Sequence, residues 1–395
     1  MNNKTKIRLV ITAAFALVTI SGCAQDQCGD GICQPREISR GNCPADCEKI
    51  TSKTIENITI KTITENGGNV DWHHKSNKIA IGKLGDDGYF DVWLINPDGS
   101  NEKCLTCYHE DLPNKHIGNA AWHPSGEYLV IQVEKSTVPN YYDNKATPGA
   151  GMLNDLYFIT KNGKKVWELY RVNDAISKDS SGILHPHFSH NGKKLAWAER
   201  IKDNDRQFGE WAIKIADFKF TDNIPILANI ETLQPGSISS FYETHTFSPD
   251  DSKLLFTGNQ DGSLEIYELD VETKKVKRLT NNPTGWDEHA TYSPDGTKII
   301  WMSSKDVLFS MSPFYLQTEF WLMDADGNNK RRLTYFHEKG HLHYFKAAEN
   351  DIAVAADNSW GPNGDQLIAL VITADPESND RDKGRIVIIE FDFSE

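Results

Sequence analysis

An irregular internal repeat constrains this chain more than any other feature of its sequence. Each block begins with a strand-like run that ends in an aromatic residue, followed by a polar turn and further β-rich runs. The aromatic residues of five blocks are Trp72, Trp122, Phe188, Phe247 and Tyr292. Turns such as the Ser-Pro-Asp-Gly after Tyr292 are typical of hairpins, because glycine and asparagine accept positive φ at little cost. A block of four short strands is not stable alone, so the blocks must pack against one another.

Radial packing of such blocks buries both faces of every sheet and leaves few exposed edges, which predicts an all-β propeller. The repeats resemble the TolB-like (PD40) propeller family. The family pattern of aromatic-Ser-Pro-Asp-Gly, a later Asp-Gly and Leu-Thr is clearest over residues 247–280 and 292–334. We predict six four-stranded blades over residues 51–395, with seven blades as the alternative. The run at residues 58–64 is predicted to pair with the last blade and close the ring.

The sixth block lacks a Ser-Pro-Asp-Gly turn, and its first strand is therefore assigned by similarity to another block. His341-Leu-His343-Tyr344 matches His185-Pro-His187-Phe188. We interpret it as the first strand of the sixth blade, followed by strands near residues 351–356, 366–373 and 385–392.

The first 22 residues are predicted to be a lipoprotein signal peptide. Lys4, Lys6 and Arg8 precede a short apolar run, and small residues follow it, as in export signals. The sequence Ile20-Ser-Gly-Cys23 is similar to the bacterial lipobox, which implies acylation of Cys23; the alternative is an ordinary signal peptide. Resemblance to the enterobacterial sorting rule then predicts an outer membrane lipoprotein, facing the periplasm or the cell surface. The lipid would be the sole membrane contact.

Residues 23–50 are predicted to form a small disulfide-rich module. A segment of this length cannot bury a core, so crosslinks or a metal must hold it together. In an oxidising compartment we expect two disulfides, with the connectivity open, among Cys28, Cys33, Cys43 and Cys47. Clustered oxygen ligands make a calcium site a second prediction for the module, although these acids could equally be solvated turn residues: Asp30, Glu37 and Asp46.

A further cysteine pair lies in Cys104-Leu-Thr-Cys107, at the end of a strand-like segment. A redox pair of this spacing would sit at the head of a helix. We therefore predict a structural disulfide here.

Charge and composition exclude one class of partner. The chain carries 42 Lys and Arg against 56 Asp and Glu, a formal net charge of −14. A protein that tracks nucleic-acid phosphates needs the opposite balance, so we predict no nucleic-acid partner. We expect the chain to act as a monomer.

The predicted channel gathers polar side chains. Residues three and one positions before each aromatic share a strand face, and the first strand of a propeller blade lines the channel. That face is predicted to bind a ligand; the alternative is a channel of water and polar groups without one. His245 falls on the opposite face and is predicted to be buried and hydrogen-bonded. The candidate ligand-binding residues are Asn69, Asn119, His185, His187, Glu288 and His289.

One short pattern suggests a metal. Glu338-x-x-His341-x-His343 is similar to the Gln-x-x-His-x-His metal site of oligogalacturonate lyases, which are also propellers. With His289 as a third imidazole, this set would suit manganese or zinc. Glutamate stands where that family has glutamine, and the Pro-x-Phe-Ser-Pro-Asp that follows there is missing.

Two functions remain in competition. The favoured one is a lipid-anchored envelope propeller that binds a protein or glycan at its channel mouth without catalysis, since the sequence contains no complete catalytic set. The alternative is a metal-dependent enzyme similar to polysaccharide lyases, acting on acidic oligosaccharides. An acidic chain without an evident cationic subsite is a poor match to such a substrate.

Overall fold

The computed structural model describes residues 55–140, 143–204, 208–236, 240–310, 315–345, 352–374 and 383–393. Within these residues, six four-stranded antiparallel sheets form the blades of a propeller, which confirms the predicted fold and blade number. In the same residues, no helix is long and apolar enough to cross a membrane. The predictions for the signal peptide and the cysteine-rich module lie outside the described residues.

Each blade runs from a first strand at the channel to a fourth strand at the rim. The first strands are β2 (Gly67–His73), β6 (Ile117–Trp122), β10 (Gly182–Phe188), β14 (Tyr242–Phe247), β18 (Asp287–Tyr292) and β22 (Ile352–Trp360). The second strands are β3 (Lys78–Leu84), β7 (Tyr128–Glu134), β11 (Lys194–Lys202), β15 (Lys253–Gly258), β19 (Lys298–Ser303) and β23 (Gln366–Ala374).

The third and fourth strands complete the blades. The third strands are β4 (Phe90–Ile95), β8 (Asn154–Thr160), β12 (Glu210–Thr221), β16 (Glu265–Asp270), β20 (Glu319–Asp324) and β24 (Lys383–Phe393). The fourth strands are β5 (Lys103–Cys104), β9 (Val166–Tyr170), β13 (Ile224–Leu233), β17 (Val276–Arg278), β21 (Arg331–Arg332) and β1 (Ile55–Glu65). A short helix, α1 (Asp143–Ala146), lies in the connection between β7 and β8.

The ring closes because the strand at the N-terminal end of the propeller, β1, joins the last blade. β1 pairs with β24 as the fourth strand of the sixth blade, with Ile60 opposite Ile389. The first strand of this blade, β22, contacts both β18 and β2. The predicted closure by residues 58–64 is therefore confirmed. Because antiparallel pairing at this seam joins the two ends of the propeller sequence, the last blade cannot separate without breaking a sheet.

The Ser-Pro-Asp-Gly repeat is a turn that satisfies its own polar groups. Oδ1 of Asp295 accepts hydrogen bonds from the Ser293 hydroxyl at 2.5 Å and from the Thr297 N–H at 3.0 Å. Gly296 then adopts a φ of 70°, where a side chain would be strained. The repeat therefore specifies the turn between the first and second strands.

The Leu-Thr part of the repeat belongs to a buried ion-pair cluster at the rim. The Glu319 carboxylate accepts hydrogen bonds from Arg332 Nη2 at 2.8 Å, from the Thr334 hydroxyl at 2.6 Å and from the Phe336 N–H at 3.0 Å. Glu265 makes the same contacts one blade earlier, to Arg278 and Thr280. The Arg-Leu-Thr signature thus joins the third and fourth strands of a blade.

The first blade replaces this arginine by a disulfide. Cys104 occupies the arginine position and bonds to Cys107, as predicted. The Thr106 hydroxyl still donates to Asp91 on the third strand, at 2.6 Å. Burial raises the pKa of Asp91, although the Thr106 hydrogen bond opposes this shift. A covalent bond here takes the place of an ion pair.

The first strand of the sixth blade is not where the sequence similarity put it. Residues 341–344 form a turn and coil, and β22 begins only at Ile352. Its aromatic residue is Trp360, followed by Gly361-Pro362-Asn363-Gly364, and Gly364 has a φ of 72°. This is the aromatic-turn pattern of the other blades with Gly-Pro-Asn-Gly for Ser-Pro-Asp-Gly. The strands predicted near residues 351–356, 366–373 and 385–392 correspond to β22, β23 and β24, and each stands one position earlier in the blade than predicted.

Candidate functional site

The first strands do not follow the simple alternation that predicted the channel face. Each contains a register shift shortly before its aromatic residue; in β10, His185 and Pro186 together stand opposite Trp197 alone. A bulge of this kind inserts one residue and turns the strand. Consecutive positions therefore face the channel, among them His245, which alternation had assigned to the other face.

Three bulged residues adopt the left-handed conformation, which is uncommon outside glycine. The φ angles are 43° for Asn119, 45° for His185 and 53° for His289. Such a conformation costs roughly 1–3 kcal/mol each and persists where the surrounding structure holds it, often at functional sites. It aims the two histidine side chains at one region of the channel.

A small polar cavity lies where these strands meet. Its volume is about 30 Å³. That is room for an ion with a water molecule and is too small for a sugar ring. The residues that line it include four histidines and no lysine or arginine: Asn69, Val70, Asp71, Asn119, Ala120, His185, Pro186, His187, His245, His289, Thr291, Asp357 and Asn358.

Two histidines and two carboxylates converge at this cavity from four blades. His289 Nδ1 lies 3.5 Å from Glu243 Oε1 and 3.5 Å from Asp357 Oδ1. His185 Nε2 lies 3.4 Å from Glu243 Oε1, and His185 Nδ1 lies 3.5 Å from Asp357 Oδ1. A third carboxylate, Glu288, lies 3.6 Å from His289 Nε2.

Key atoms of this cluster are buried without a hydrogen bond. Glu243 Oε1 and His289 Nδ1 are inaccessible to solvent and have no hydrogen-bond partner. Leaving such groups unmatched costs about 1–3 kcal/mol each, so a native structure needs a reason for them. Two ligands of a tetrahedral ion bound at about 2.1 Å stand about 3.4 Å apart, which is the separation found here.

Burial sets the protonation of the cluster. It lowers the pKa of His185 to about 4 and that of His187 to about 3, so both imidazoles are neutral at pH 7. Burial also raises the pKa of Glu243 well above its usual range, and the negative charge and hydrogen bond of Glu288 raise it further. Neutral imidazoles are competent metal ligands, whereas the raised pKa of Glu243 disfavours the ionised form that binds a metal.

The donor set fits a divalent transition metal. One ligand atom each from His185, His289 and Asp357 lies within 4.8 Å of the others, and a second such group joins Glu243 and His245 to His289. His245 is less available, because its Nε2 is 2.8 Å from the Thr257 hydroxyl. Two imidazoles with carboxylates suit zinc or manganese.

Other polar residues of the channel are used within the fold. Asn69 Oδ1 accepts the Asn119 N–H at 3.0 Å, and Asp71 Oδ2 accepts the Trp122 N–H at 2.6 Å. Asn119 Nδ2 donates to Gln132 Oε1 at 2.7 Å. The first two contacts join the first blade to the second, and the third lies within the second blade. Asn69 and Asn119, both predicted as ligand-binding residues, therefore line the cavity with side chains already engaged.

The structure brings together five of the six predicted channel residues as cavity lining, and the sixth, Glu288, contacts His289. It does not bring Glu338, His341 or His343 to this cavity. None of these three belongs to a group of donors around His289. His341 and His343 instead pack against Tyr335, with ring centroids 4.5 Å and 6.0 Å from it.

This correction has a simple physical origin. Residues 341–344 connect the fifth and sixth blades and do not form a channel strand. Glu338 pairs with Arg332 at 3.0 Å, on the rim side of the fifth blade. The similarity to the lyase pattern therefore concerned a connecting segment, and the four-residue metal set of Glu338, His341, His343 and His289 is not assembled.

Asp357 and Glu243 were not among the residues predicted from the sequence. Asp357 stands three positions before Trp360, the same offset as His185 and His289 from their aromatics. The turn at residues 361–364 was the signal that could have located it. Glu243 stands four positions before Phe247, as Glu288 does before Tyr292, and comparing the two blades could have identified it.

Several predicted residues lie outside the described residues and stay predictions. These are the lipidation site, the four cysteines of the N-terminal module and its candidate calcium ligands: Cys23, Cys28, Cys33, Cys43, Cys47, Asp30, Glu37 and Asp46.

The chain is similar to one known protein family and to a protein of Agrobacterium fabrum. Residues 170–370 match the family described as the TolB beta propeller domain, PD40. Uncharacterized protein Atu1656 of Agrobacterium fabrum is 24% identical over 280 residues, which is 69% of this chain and 71% of that protein.

Solved structures show the same propeller at low identity. TolB from Acinetobacter baumannii superposes with a TM-score of 0.50 at 17% identity, over 79% of this chain, which spans only 64% of the TolB chain. An oligogalacturonate lyase in complex with manganese has a TM-score of 0.46 at 11% identity, over 87% of this chain and 94% of that chain. These identities establish the fold alone, and the second score is too low to carry an argument about its manganese.

Proposed function

Because the chain belongs to the TolB β-propeller family, we propose that it is a lipid-anchored propeller of the bacterial cell envelope that holds a divalent transition metal in its channel. The metal would lie between His185, His289, Asp357 and Glu243. The metal-bearing channel mouth would bind a protein or glycan ligand, without catalysis.

One observation carries the metal proposal. Glu243 Oε1 and His289 Nδ1 are buried, 3.5 Å apart, and lack hydrogen bonds. A hydrogen bond between these two atoms would need better alignment than the structure has. A cation bound by both atoms would satisfy both of them at this separation. The neutral state of His185 at pH 7 leaves its nitrogens available as well.

The size and charge of the cavity favour binding over the lyase alternative. About 30 Å³ does not admit a sugar ring, so a glycan could be held only outside the cavity, at its mouth, and no lysine or arginine lines the cavity to meet an acidic substrate. Lyase chemistry also needs a base beside the substrate carbon. The carboxylates present, Glu243, Glu288 and Asp357, lie within the histidine cluster, where the cavity leaves no room for a substrate carbon beside them.

The anchor rests on the sequence of the first 23 residues. Metabolic labelling with a radioactive fatty acid should mark the wild-type protein and leave Cys23→Ser unlabelled. Equal labelling of both would contradict the anchor.

Metal binding is tested by titrating the EDTA-treated chain with Zn²⁺ and Mn²⁺ in a calorimeter, followed by elemental analysis after gel filtration. We expect one ion per chain and loss of binding in His289→Ala and Asp357→Asn. His341→Gln is the matched control, because it removes an imidazole that lies outside the channel. Binding that survives His289→Ala but is lost in His341→Gln would overturn the assignment in favour of the connecting segment.

A further inference from the structure

A second cavity lies at the rim of the propeller, between the fifth and sixth blades. Its volume is about 290 Å³, roughly ten times that of the channel cavity. Its walls come from β1, β21 and the segment that carries the two histidines displaced from the predicted channel strand. It is large enough for a small organic group rather than a bare ion.

The titratable groups of this rim pocket are basic or phenolic. Arg331, Arg332, His341, His343 and Tyr335 line it together with Asn57, and among the described residues no aspartate or glutamate does. That absence stands out in a chain with 56 Asp and Glu. A cavity lined in this way attracts an anion against the net charge of the whole protein.

Arg331 and Arg332 have different tasks. Arg332 is committed to Glu319 and Glu338, at 2.8 Å and 3.0 Å, and its guanidinium stacks on Tyr335 at 4.4 Å. The Arg331 side chain is exposed and, in the described part of the chain, makes no hydrogen bond or ion pair within 4 Å, although its charge acts at longer range on Asp324. Arg331 is therefore the cation that remains available to a ligand.

The histidine beside it supplies a hydrogen-bond donor. His341 Nδ1 accepts the His343 N–H at 3.1 Å, so its proton resides on Nε2. His343 in turn contacts the Ile58 carbonyl through Nε2, at 3.2 Å, which fixes this segment against β1. Hydrogen bonding from both sides makes the pocket wall preorganised.

The remaining wall is aliphatic. Ile55, Ile58, Leu333 and Leu342 line the pocket, and the Leu342 side chain is 96% exposed. A fully exposed leucine beside a cavity offers apolar contact to a bound group. A cation, a donor and an apolar wall together complement a carboxylate that carries an aliphatic side chain.

We infer that the rim pocket binds the free C-terminal carboxylate of a partner peptide that ends in an aliphatic residue. Arg331 and His341 Nε2 hold the carboxylate, and the aliphatic wall with Leu342 receives the last side chain. This site is separate from the channel cavity, so it stands whether or not the channel binds a metal.

The smallest probes of this pocket are N-acetylleucine and its uncharged amide. Binding to the purified full chain is followed by saturation-transfer NMR. We expect saturable binding of N-acetylleucine and at least tenfold weaker binding of the amide, since a charge-assisted hydrogen bond is lost. Arg331→Gln should weaken N-acetylleucine about tenfold. Lys103→Gln is the matched control, because Lys103 occupies the same position in the fourth strand of the first blade.

Two further probes decide the class of ligand. Glucuronate carries a carboxylate on a sugar, and inorganic phosphate is an anion without an apolar part. Binding of either one as tightly as N-acetylleucine would overturn the peptide assignment. Equal binding of the acid and the amide, or an unchanged affinity in Arg331→Gln, would overturn the anion site itself.

Discussion

Glu319 and Glu243 are buried glutamates in neighbouring parts of the same fold, yet their surroundings differ completely. Glu319, at the rim, is 0% exposed and receives hydrogen bonds from an arginine, a threonine, a backbone N–H and His337. Glu243, at the channel, is 4% exposed, and one of its oxygens has no partner.

Their pKa values diverge accordingly. Burial by itself raises the pKa of Glu319, but the hydrogen bonds from His337 and Thr334 outweigh it, and the pKa lies below its usual range. For Glu243, burial and the nearby Glu288 act in the same direction and raise the pKa. Two kinds of buried carboxylate are thus present. One that has a full set of hydrogen-bond donors stabilises the fold, whereas one without them is available to bind a cation.

The same substitution at the two sites tests this contrast most directly. Glu319→Gln leaves Arg332 buried without its principal partner, so the free energy of unfolding should fall by about 3–5 kcal/mol. Urea unfolding at pH 7, without metal, measures it. A loss below 1 kcal/mol would mean that the rim cluster is not a structural ion pair.

The first blade offers a second test of the rim cluster, because it has a disulfide in place of the arginine. Replacing Cys104 and Cys107 by serine should lower the free energy of unfolding by about 2 kcal/mol, the entropy expected for so short a loop. Cys104→Arg with Cys107→Ser should recover part of this loss through a pair with Asp91. Equal stability of the two double variants would show that the disulfide does not substitute for the ion pair.

Acid sensitivity distinguishes the channel from the rim. His185 has its pKa lowered from 6.5 to about 4 by burial, so the unfolded chain takes up a proton before the folded one does. Its contribution to stability is full above pH 6.5 and is lost as the pH falls from 6.5 towards 4. Between pH 7 and pH 5, wild type should lose about 2 kcal/mol more than His185→Gln, measured with EDTA present. Parallel pH profiles would contradict a buried neutral His185.

The smallest effect on stability is expected at Glu243. Glutamine has the shape of glutamate and carries no charge for burial and Glu288 to disfavour, so Glu243→Gln should change the free energy of unfolding by less than about 1 kcal/mol. The same variant should weaken Zn²⁺ binding, because an amide is a poorer ligand than a carboxylate. A large loss of stability with unchanged metal binding would place Glu243 with Glu319 among structural residues.

Much of the fold could be predicted from the sequence, because its signals are local. The hairpin turn at Asp295–Gly296 and the rim pair of Arg332 with Glu319 each involve residues that recur at fixed offsets in the blocks. The six blades, the closure by β1 and the Cys104–Cys107 disulfide followed from such patterns. The first strand of the sixth blade was predicted in the wrong place for two reasons. Its turn reads Gly-Pro-Asn-Gly, and the histidines at residues 341 and 343 match those of the third block.

The candidate site was predictable only in part. The recurrence of histidines at the channel strands is visible in the sequence, since His185 and His289 hold the same offset from an aromatic residue. Their meeting with Glu243 and Asp357, which come from two other blades, depends on how the ring closes. The bulges that turn consecutive residues inward, and the position of His341 at a rim pocket, likewise depend on the tertiary structure. Offsets within a repeat depend on neighbouring residues in the chain, whereas convergence depends on the ring and on backbone bulges, which local sequence does not specify.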